Sequence, residues 1–299
     1  MANPLLDIIV RVHAISRLPE LERCLLSLIG QSYRPIAIHI VTQRFDTAEI
    51  STLQALVDTL AQVEPDIAMT VLDYEHPAPA DARSALVNLG FSAAQGRYVA
   101  LLDYDDVTAP HGYARLIADL HATGAAISFG KVLAARLVVD GPILILRTRE
   151  DLYRGAGLIS LLRENFCPIH SFVIDRTRID PAALHFDPQR SVDPQRSVDP
   201  QRSVDEDYDF LIRTCAEYPS SFAEKEYVVG YYGLKDDGSN TVMTPGQETE
   251  ARWAEWRLSA QKIEVLRATT RVSLRVQRQL GRTPDPELTV TRLLQETPP

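Results

Sequence analysis

The sequence predicts an α/β fold in which a mixed, mostly parallel sheet carries helices on both faces, with a helical extension at the C-terminus. Short β-branched runs alternate with amphipathic segments through the first hundred residues, and a long helical pattern covers residues 247–282. Alternation of this kind favours parallel strands, because each helix carries the chain back to the same edge of the sheet. Ligands of such sheets bind at the carboxyl ends of the strands.

The clearest elements lie in the first hundred residues. Residues 7–12 form a strand-like run, and residues 18–29 place leucines at helical spacing behind Ser16, which fits an N-cap. The same strand-to-helix unit then repeats. Strands are predicted over 36–42, 68–74 and 97–104, and helices over 48–63 and 83–95.

The second half of the chain predicts a change in strand direction. A helix over residues 111–123 precedes two β-rich runs, 125–139 and 142–149, and Asp140-Gly141 between them is typical of a hairpin turn. Because a hairpin joins antiparallel strands, we expect the sheet to become mixed here. Residues 205–218 form an acidic turn that enters an amphipathic helix.

Composition places the chain among globular proteins, since 45% of its 299 residues are hydrophobic and 24% are charged. A formal net charge of −9 argues against nucleic-acid binding, which requires a clustered positive surface. The N-terminal segment lacks the basic region and the apolar stretch of a signal peptide or membrane span, so we expect a cytoplasmic protein. Cys24, Cys167 and Cys215 form no CxxC pair, which predicts buried, reduced thiols and no zinc site.

Two segments stand apart from the α/β pattern. The hexapeptide DPQRSV occurs three times in tandem over residues 187–204 and predicts an extended surface loop inserted into the main domain. Residues 251–282 carry eight basic residues and two glutamates, a net charge of +6. Such a helix suits contact with an acidic membrane surface or an acidic subunit. The alternative is a helix packed across its own domain with solvated arginines.

Three carboxylates lie within four positions directly behind an apolar strand: Asp103, Asp105 and Asp106. They repel one another, so we expect a positive partner that offsets them. Carboxylates at a strand end suit a hard divalent cation, Mg²⁺ or Mn²⁺, shared with substrate phosphates. The alternative is an Asp-rich turn that caps the following helix, which is the more common role of such strings.

The surroundings of this acidic cluster resemble inverting GT-A glycosyltransferases of family 2. In that family an Arg, an Asn-x-Gly, an Ala-x-Gly-x-Tyr and a Leu-Asp-x-Asp-Asp follow one another. Here these are Arg83, Asn88 with Gly90, Ala94 with Gly96 and Tyr98, and Leu102 through Asp106. The opening strand and helix are also similar to the family, as is the Glu206-Asp207 segment, so the resemblance covers residues 7–240.

The resemblance implies a GT-A fold, which is Rossmann-like, over residues 1–240, with residues 245–299 as a C-terminal helical extension. It implies that this domain binds a nucleotide-diphosphate sugar. Asp103 would lie against the ribose and near the metal, and Asp105 would ligate a Mn²⁺ or Mg²⁺ ion that bridges the diphosphate. Arg83 would lie near the base or the phosphates, and Arg11 and His13 would border the nucleotide.

Catalytic roles also follow from the resemblance. Asp207 would be the general base that takes the proton of an acceptor hydroxyl, and a single displacement with one base inverts the anomeric configuration. The alternative is that Glu206, Asp207 and Asp209 only stabilise a helix N-terminus. Asp106 either supports the metal or caps the next helix, and we favour the cap.

One departure from the family concerns the nucleotide base. The family commonly ends its second strand in Val-Val-Asp-Asp-Gly, where an Asp reads uracil, whereas this chain has Gln43 in that region. The amide of Gln43 can still pair with a base edge. A UDP-sugar is our first choice of donor, with dTDP and GDP open.

We expect the acceptor to be a carbohydrate or glycolipid hydroxyl, as in polysaccharide or glycolipid synthesis. The alternative function is a catalytically silent nucleotide-sugar-binding or scaffold subunit with the same fold. The missing aspartate favours this alternative, whereas the intact acidic cluster and the Glu206-Asp207 segment favour the enzyme more.

Overall fold

The computed structural model describes residues 3–141, 143–187, 206–236 and 250–297. The strands within this part of the chain are β1 (Leu6–Val12), β2 (Ile36–Gln43), β3 (Ala68–Tyr74), β4 (Tyr98–Asp103), β5 (Val107–Thr108), β6 (Ile127–Asp140), β7 (Ile143–Glu150), β8 (Phe172–Asp175) and β9 (Ser220–Lys235). The helices are α1 (Leu18–Ile29), α2 (Thr47–Val63), α3 (Arg83–Ala93), α4 (Gly112–Thr123), α5 (Leu158–Arg163), α6 (Glu206–Glu217), α7 (Glu250–Thr269), α8 (Leu274–Gln279) and α9 (Val290–Glu296). The DPQRSV array beyond Asp187 and the domain boundary placed at 240–245 lie outside the described residues.

All the described strands join one sheet, in the order β3-β2-β1-β4-β8-β6-β9-β5, with β7 paired to β6. Strands β3, β2, β1 and β4 are parallel neighbours, whereas β8 runs antiparallel to both β4 and β6. The prediction of a parallel first half and a mixed second half is therefore confirmed. Because β2 lies on one side of β1 and β4 on the other, the chain reverses its strand order between β1 and β4, which is where α/β sheets bind ligands.

Helices cover both faces of the sheet. On β1, Leu6, Ile8 and Val10 pack into the apolar core shared with α1, α2 and α4. Ile9 points to the opposite core, which contains residues of α3, α5 and α6. Alternate side chains of a strand face opposite sides of the sheet, so a strand with a core on each side carries apolar residues on both faces.

The hairpin and one long strand define the second half. Strands β6 and β7 pair antiparallel with Asp140 opposite Ile143, and Gly141 adopts a left-handed φ of 58° between them, which confirms the predicted turn. Strand β9 pairs parallel with β6 and antiparallel with β5. Residues 220–235 lie outside the elements predicted from the sequence.

The helical pattern over residues 247–282 is not one helix, because the chain leaves helical geometry after Thr269. Arg271 forms a β-bridge with Thr289, and the Ser273 side chain accepts a hydrogen bond from the Val276 amide and caps α8. A β-branched and hydroxyl-rich stretch separates the two helices, because its residues suit a bridge and a cap better than a helix interior.

The C-terminal helices pack on the main sheet layer. Ile263 and Leu266 of α7 join the same core as Phe210 and Leu211 of α6. Arginines of the basic segment pair with glutamates of the chain, as Arg257 does with Glu250, Arg271 with Glu287, Arg275 with Glu217 and Arg282 with Glu296. This packing agrees with the alternative of a helix laid across its own domain. Within the described residues, every helix is too short or too polar to cross a membrane.

Three residues of the family-like motif hold the fold together. The Asn88 side chain donates to the Phe186 carbonyl and accepts from the Phe186 amide, each at 2.8 Å, which ties α3 to a distant loop. The Gly96 amide donates to the Asp7 carboxylate. Gly90 lies so close to β1 that a Cβ atom would overlap the Ile9 side chain. Close packing of α3 on β1 thus requires glycine at position 90.

We predict that Gly90→Ala destabilises the protein by about 1–3 kcal/mol, because overpacking in the core outweighs the better helix propensity of alanine. Denaturant unfolding measures the change. Gly30→Ala is the control, since a Cβ at Gly30 would meet only Leu26 O at 3.5 Å and Ser27 O at 3.7 Å. Equal stabilities of the two variants would contradict the prediction.

Candidate active site

The site begins at the switch point, where Arg11 on β1 and Asp103 on β4 lie opposite each other in the parallel register. Arg11 Nε donates to Asp103 Oδ1 at 2.7 Å, and Nη2 donates to Oδ2 at 2.8 Å. Two parallel charge-assisted bonds of this kind fix both side chains in one geometry. Burial alone would raise the pKa of Asp103, but the Arg11 guanidinium outweighs it and holds the pKa below its usual value.

The same arginine reaches the first residue of α6. Arg11 Nη1 donates to Glu206 Oε1 at 3.3 Å, and Arg83 Nη1 lies 3.6 Å from the same oxygen. Arg83 is in turn held by Asp81, with Nη2 to Oδ2 at 2.8 Å. Glu206 is 6% exposed, so it is a buried carboxylate between two guanidinium groups. Glu206 belongs to the family-like segment, but no site role for it is predicted from the sequence.

The other two aspartates of the acidic cluster have different partners. Asp105 Oδ2 accepts from Lys235 Nζ at 3.0 Å, and Asp106 Oδ1 accepts from the Gly233 amide at 2.9 Å. Asp106 Oδ2 also lies 3.1 Å from His170 Nδ1. Burial and then the charge of Asp106 raise the pKa of Asp105 to about 6.

The predicted helix cap at Asp106 is wrong. The residue that precedes α4 is His111, and its side chain makes no cap hydrogen bond. Asp106 is instead 2% exposed and bonded to β9, because the chain after β4 turns toward that strand before α4 begins.

The acidic cluster at the carboxyl edge of the sheet can supply only part of a divalent cation's ligands. Substrate and water would have to supply the rest. The described residues contain no group of three or more His, Cys, Asp or Glu side chains placed to hold a metal. Asp105 is the best candidate ligand, because its side chain is 24% exposed and its Oδ1 accepts no hydrogen bond within the described residues. Mg²⁺ and similar ions are commonly held by one or two carboxylates together with substrate phosphates.

A cavity of about 490 Å³ opens beside the Arg11–Asp103 pair. Its charged lining residues, called the charged wall, include Arg83, Glu206 and Asp207. Its aromatic and apolar lining residues, called the aromatic wall, include Tyr153, Tyr208, Tyr232, Trp256, Ala260 and Ile263, the last three on α7. The C-terminal helix therefore helps to build the cavity.

Asp207 lies in the first turn of α6 and lines this cavity. Its Oδ1 accepts from the Tyr208 amide at 2.8 Å, and Asn165 Nδ2 lies 3.5 Å from the same atom. Asp209 differs, because it is 2% exposed and its Oδ1 accepts from Arg213 Nε at 2.8 Å. Asp207 and Glu206 both line the cavity, whereas Asp209 does not.

The structure does not bring every predicted nucleotide residue to the cavity. Arg11, Arg83 and Asp103 line it, whereas His13 and Gln43 do not. His13 packs edge-on against Tyr104, with ring centroids 5.2 Å apart. Gln43 ends β2, and its Nε2 donates to the Ala80 carbonyl at 2.9 Å. Both lie at the carboxyl edge of the sheet, but outside the cavity that contains Asp207.

The strand order and the helices on both faces of the sheet are those of a Rossmann-like GT-A fold. The family model for glycosyl transferase family 2 matches residues 9–179, more than half of the chain. The chain therefore belongs to glycosyl transferase family 2, and it is a glycosyltransferase. No curated protein sequence matches it.

Solved structures share the fold at low sequence identity. S. aureus TarS 1–349 in complex with UDP superposes with a TM-score of 0.54 at 14% identity, covering 94% of this chain and 69% of that chain. The same TarS fragment in complex with UDP-GlcNAc gives a TM-score of 0.53 at 15% identity, covering 94% of this chain and 70% of that chain. The mannosyltransferase PcManGT from Pyrobaculum calidifontis, in complex with GDP-Man and Mn²⁺, gives 0.53 at 14% identity, covering 98% and 70%.

We predict that Arg11→Met destabilises the protein by about 3–5 kcal/mol, because it takes the guanidinium partner from the partly buried Asp103 carboxylate and removes one of two guanidinium groups beside the buried Glu206 carboxylate. Urea unfolding measures the change. Arg136→Met is the matched control: Arg136 pairs with Glu150 at the surface, with 44% of its side chain exposed, so its loss costs less than about 1 kcal/mol. Similar decreases in the free energy of unfolding for the two variants would show that the contacts of Arg11 stabilise the protein no more than a surface ion pair does.

Proposed function

We propose that this protein transfers a sugar from a nucleoside-diphosphate donor to an acceptor hydroxyl, with inversion at the anomeric carbon. One observation carries the proposal: a single cavity contains the Arg11–Asp103 pair, which the family resemblance assigns to the donor, and Asp207, which it assigns to the acceptor proton. A donor at the switch point would present its sugar to this cavity. An acceptor in the cavity would then lie between the sugar and Asp207.

The donor is proposed to be a UDP-sugar, with dTDP and GDP sugars as alternatives. The TarS structures contain UDP or UDP-GlcNAc, and the mannosyltransferase contains GDP-Man, so the fold accommodates more than one base. Asp103 would contact the ribose, and Arg83 would lie near the phosphates. The position of Gln43 at the end of β2 suits a contact with the base edge, although its amide now donates to Ala80.

We assign the divalent-cation site to Asp105, with Asp103 beside it. A bound Mn²⁺ or Mg²⁺ ion would stabilise the negative charge that gathers on the leaving diphosphate. Asp103 keeps its position through Arg11, and the lowered pKa of Asp103 keeps that carboxylate ionised near neutral pH. The mannosyltransferase with Mn²⁺ supports the use of a metal ion in this fold.

Asp207 is proposed as the general base. A carboxylate at the first turn of α6 is in place to accept a proton from a hydroxyl in the cavity, and Asn165 Nδ2 lies 3.5 Å from its Oδ1. Attack on the face opposite the leaving diphosphate, assisted by one base, gives inversion. Positioned acid–base groups contribute about 10²–10⁴-fold to a rate.

The aromatic wall suits a carbohydrate acceptor or the sugar part of a glycolipid. Tyr153 and Tyr232 pack edge-on with ring centroids 5.8 Å apart, and Trp256 of α7 lines the same cavity. Aromatic rings offer an apolar surface to the C–H face of a sugar, while the charged wall can bind its hydroxyls. A role in polysaccharide or glycolipid synthesis, a cytoplasmic address, and membrane or subunit contact through the basic segment stay predictions from the sequence.

We predict that Asp207→Asn lowers the transfer rate by about 10²–10⁴-fold and leaves nucleotide binding unchanged, because the amide cannot accept the proton. Transfer is measured with radiolabelled donor sugars, and binding by calorimetry with UDP and GDP. Asp209→Asn is the control on the same helix, since Asp209 is bonded to Arg213. A transferase that keeps its rate in Asp207→Asn has another base, and a protein that binds donor without any transfer is the silent subunit.

We further predict that Trp256→Ala raises the acceptor KM roughly fivefold, because an aromatic contact is worth about 1 kcal/mol. We expect donor hydrolysis by water to stay unchanged, because Trp256 belongs to the aromatic wall, which is proposed to bind the acceptor. A panel of p-nitrophenyl glycosides supplies the acceptors. Trp253→Ala is the matched control: Trp253 is on the same helix, is 45% exposed and does not line the cavity. An equal effect of both substitutions would place the acceptor elsewhere.

A further inference from the structure

A buried lysine lies beside the acidic cluster. Lys235 is the last residue of β9, and only 1% of its side chain is exposed. Its Nζ lies 3.0 Å from Asp105 Oδ2, 3.7 Å from Glu20 Oε1 and 5.8 Å from the centroid of the Tyr104 ring. An ammonium group that leaves water loses solvation free energy, so a buried lysine at a ligand-binding edge is a candidate for a functional role.

Asp105 differs from the other two aspartates because its lysine partner binds only one of its two carboxylate oxygens. Arg11 binds both oxygens of Asp103 side-on, and Asp106 faces β9 and His170. Lys235 binds only Oδ2 of Asp105, and within the described residues no donor binds Oδ1. Lys235 is therefore a cation fixed beside an aspartate whose side chain is 24% exposed and whose Oδ1 accepts no hydrogen bond within the described residues.

We propose that Lys235 is a diphosphate-binding residue of the donor site, an inference that rests on the proposed function. The ammonium is held 3.0 Å from Asp105 Oδ2, so a group bound at the exposed side of Asp105 lies next to a fixed positive charge. A diphosphate placed against Asp105 comes within reach of the same ammonium, which binds phosphate as a compact point charge. The lysine also reduces the repulsion between the Asp105 carboxylate and the phosphates.

This position couples Lys235 to a divalent cation. The lysine and the divalent cation would both neutralise Asp105 and the diphosphate. The contribution of either one to nucleotide affinity should therefore be smaller when the other is present. Groups that share a partner have non-additive effects, which a two-by-two cycle measures. Without the lysine, nucleotide binding should depend on the cation alone.

The test is calorimetric titration of the full chain and of Lys235→Met with UDP and GDP, each in EDTA and in Mn²⁺, and with inorganic pyrophosphate in EDTA. We expect the unmodified protein to bind in EDTA, and Lys235→Met to bind at least tenfold more weakly there. Mn²⁺ should restore most of the nucleotide affinity of the variant. The addition of Mn²⁺ should therefore increase the nucleotide affinity of the variant by a larger factor than that of the unmodified protein.

Two further variants complete the design. Lys131→Met is the matched control, because Lys131 pairs with Asp151 and Glu226 and has no contact with the acidic cluster. It should bind as the unmodified protein does. Lys235→Gln removes the charge but keeps an N–H donor for Asp105, so it should reproduce the loss if Lys235→Met folds poorly in a melting assay.

The outcomes separate this inference from the proposed function. The inference is overturned if the substitution of Lys235 leaves binding unchanged, if it weakens nucleotide binding by the same factor with and without Mn²⁺, or if the unmodified protein binds none of the three probes in EDTA. Lys235-dependent binding of pyrophosphate and nucleotide, in a protein that transfers no sugar, would support the inference and refute the proposed function.

Discussion

The fold depends on the neutralisation of negative charge at the carboxyl edge of its sheet. Arg11 and Asp103 are opposite each other in the register of β1 and β4, so the pairing of the strands itself places a guanidinium beside the first aspartate. The third guanidinium nitrogen of Arg11, Nη1, donates to Glu206, and Glu206 is the first residue of α6. Asp207 is the next residue, and its place in the cavity follows from that contact. One buried arginine thus links the donor side of the site to the proposed base.

The C-terminal segment belongs to the site as well as to the core. Arg267 of α7 donates from Nε to the Leu162 carbonyl at 2.9 Å and from Nη2 to the Tyr208 hydroxyl at 2.8 Å. Tyr208 follows Asp207 directly, so α7 is bonded to the turn that carries the proposed base. The aromatic wall and the charged wall of the cavity are held together by this contact. A helix with many arginines is therefore not evidence by itself of a membrane surface, because intramolecular partners can use those charges.

The motif that connects the sequence to its family has two kinds of member. Asn88, Gly90 and Gly96 hold α3 and the start of β4 against β1 and a distant loop, through backbone hydrogen bonds and close approach. Arg83 and Asp103 instead line the cavity. The spacing of the motif is set by the geometry of a helix that crosses from β3 to β4, so structural and chemical residues appear in one ordered string.

The sequence by itself determined the fold class and its family. Alternating strand and helix patterns require no knowledge of distant partners, because periodicity reflects which face of each element is buried. The acidic cluster was also correctly placed at a strand end. The register shifts in β9 against β6 blur such alternation, and this explains why the strand that carries Lys235 was not predicted.

Tertiary structure decided the partners of the charged groups. Glu206 is 195 positions from Arg11, and Lys235 is 130 positions from Asp105, and local patterns contain no information about such pairs. For the same reason Asp106 was assigned to the nearest helix, although a strand much later in the chain supplies its hydrogen bond. Local sequence specifies which faces of each element are apolar, whereas the partner of a buried charge depends on which distant segments the assembled sheet brings within a few ångströms.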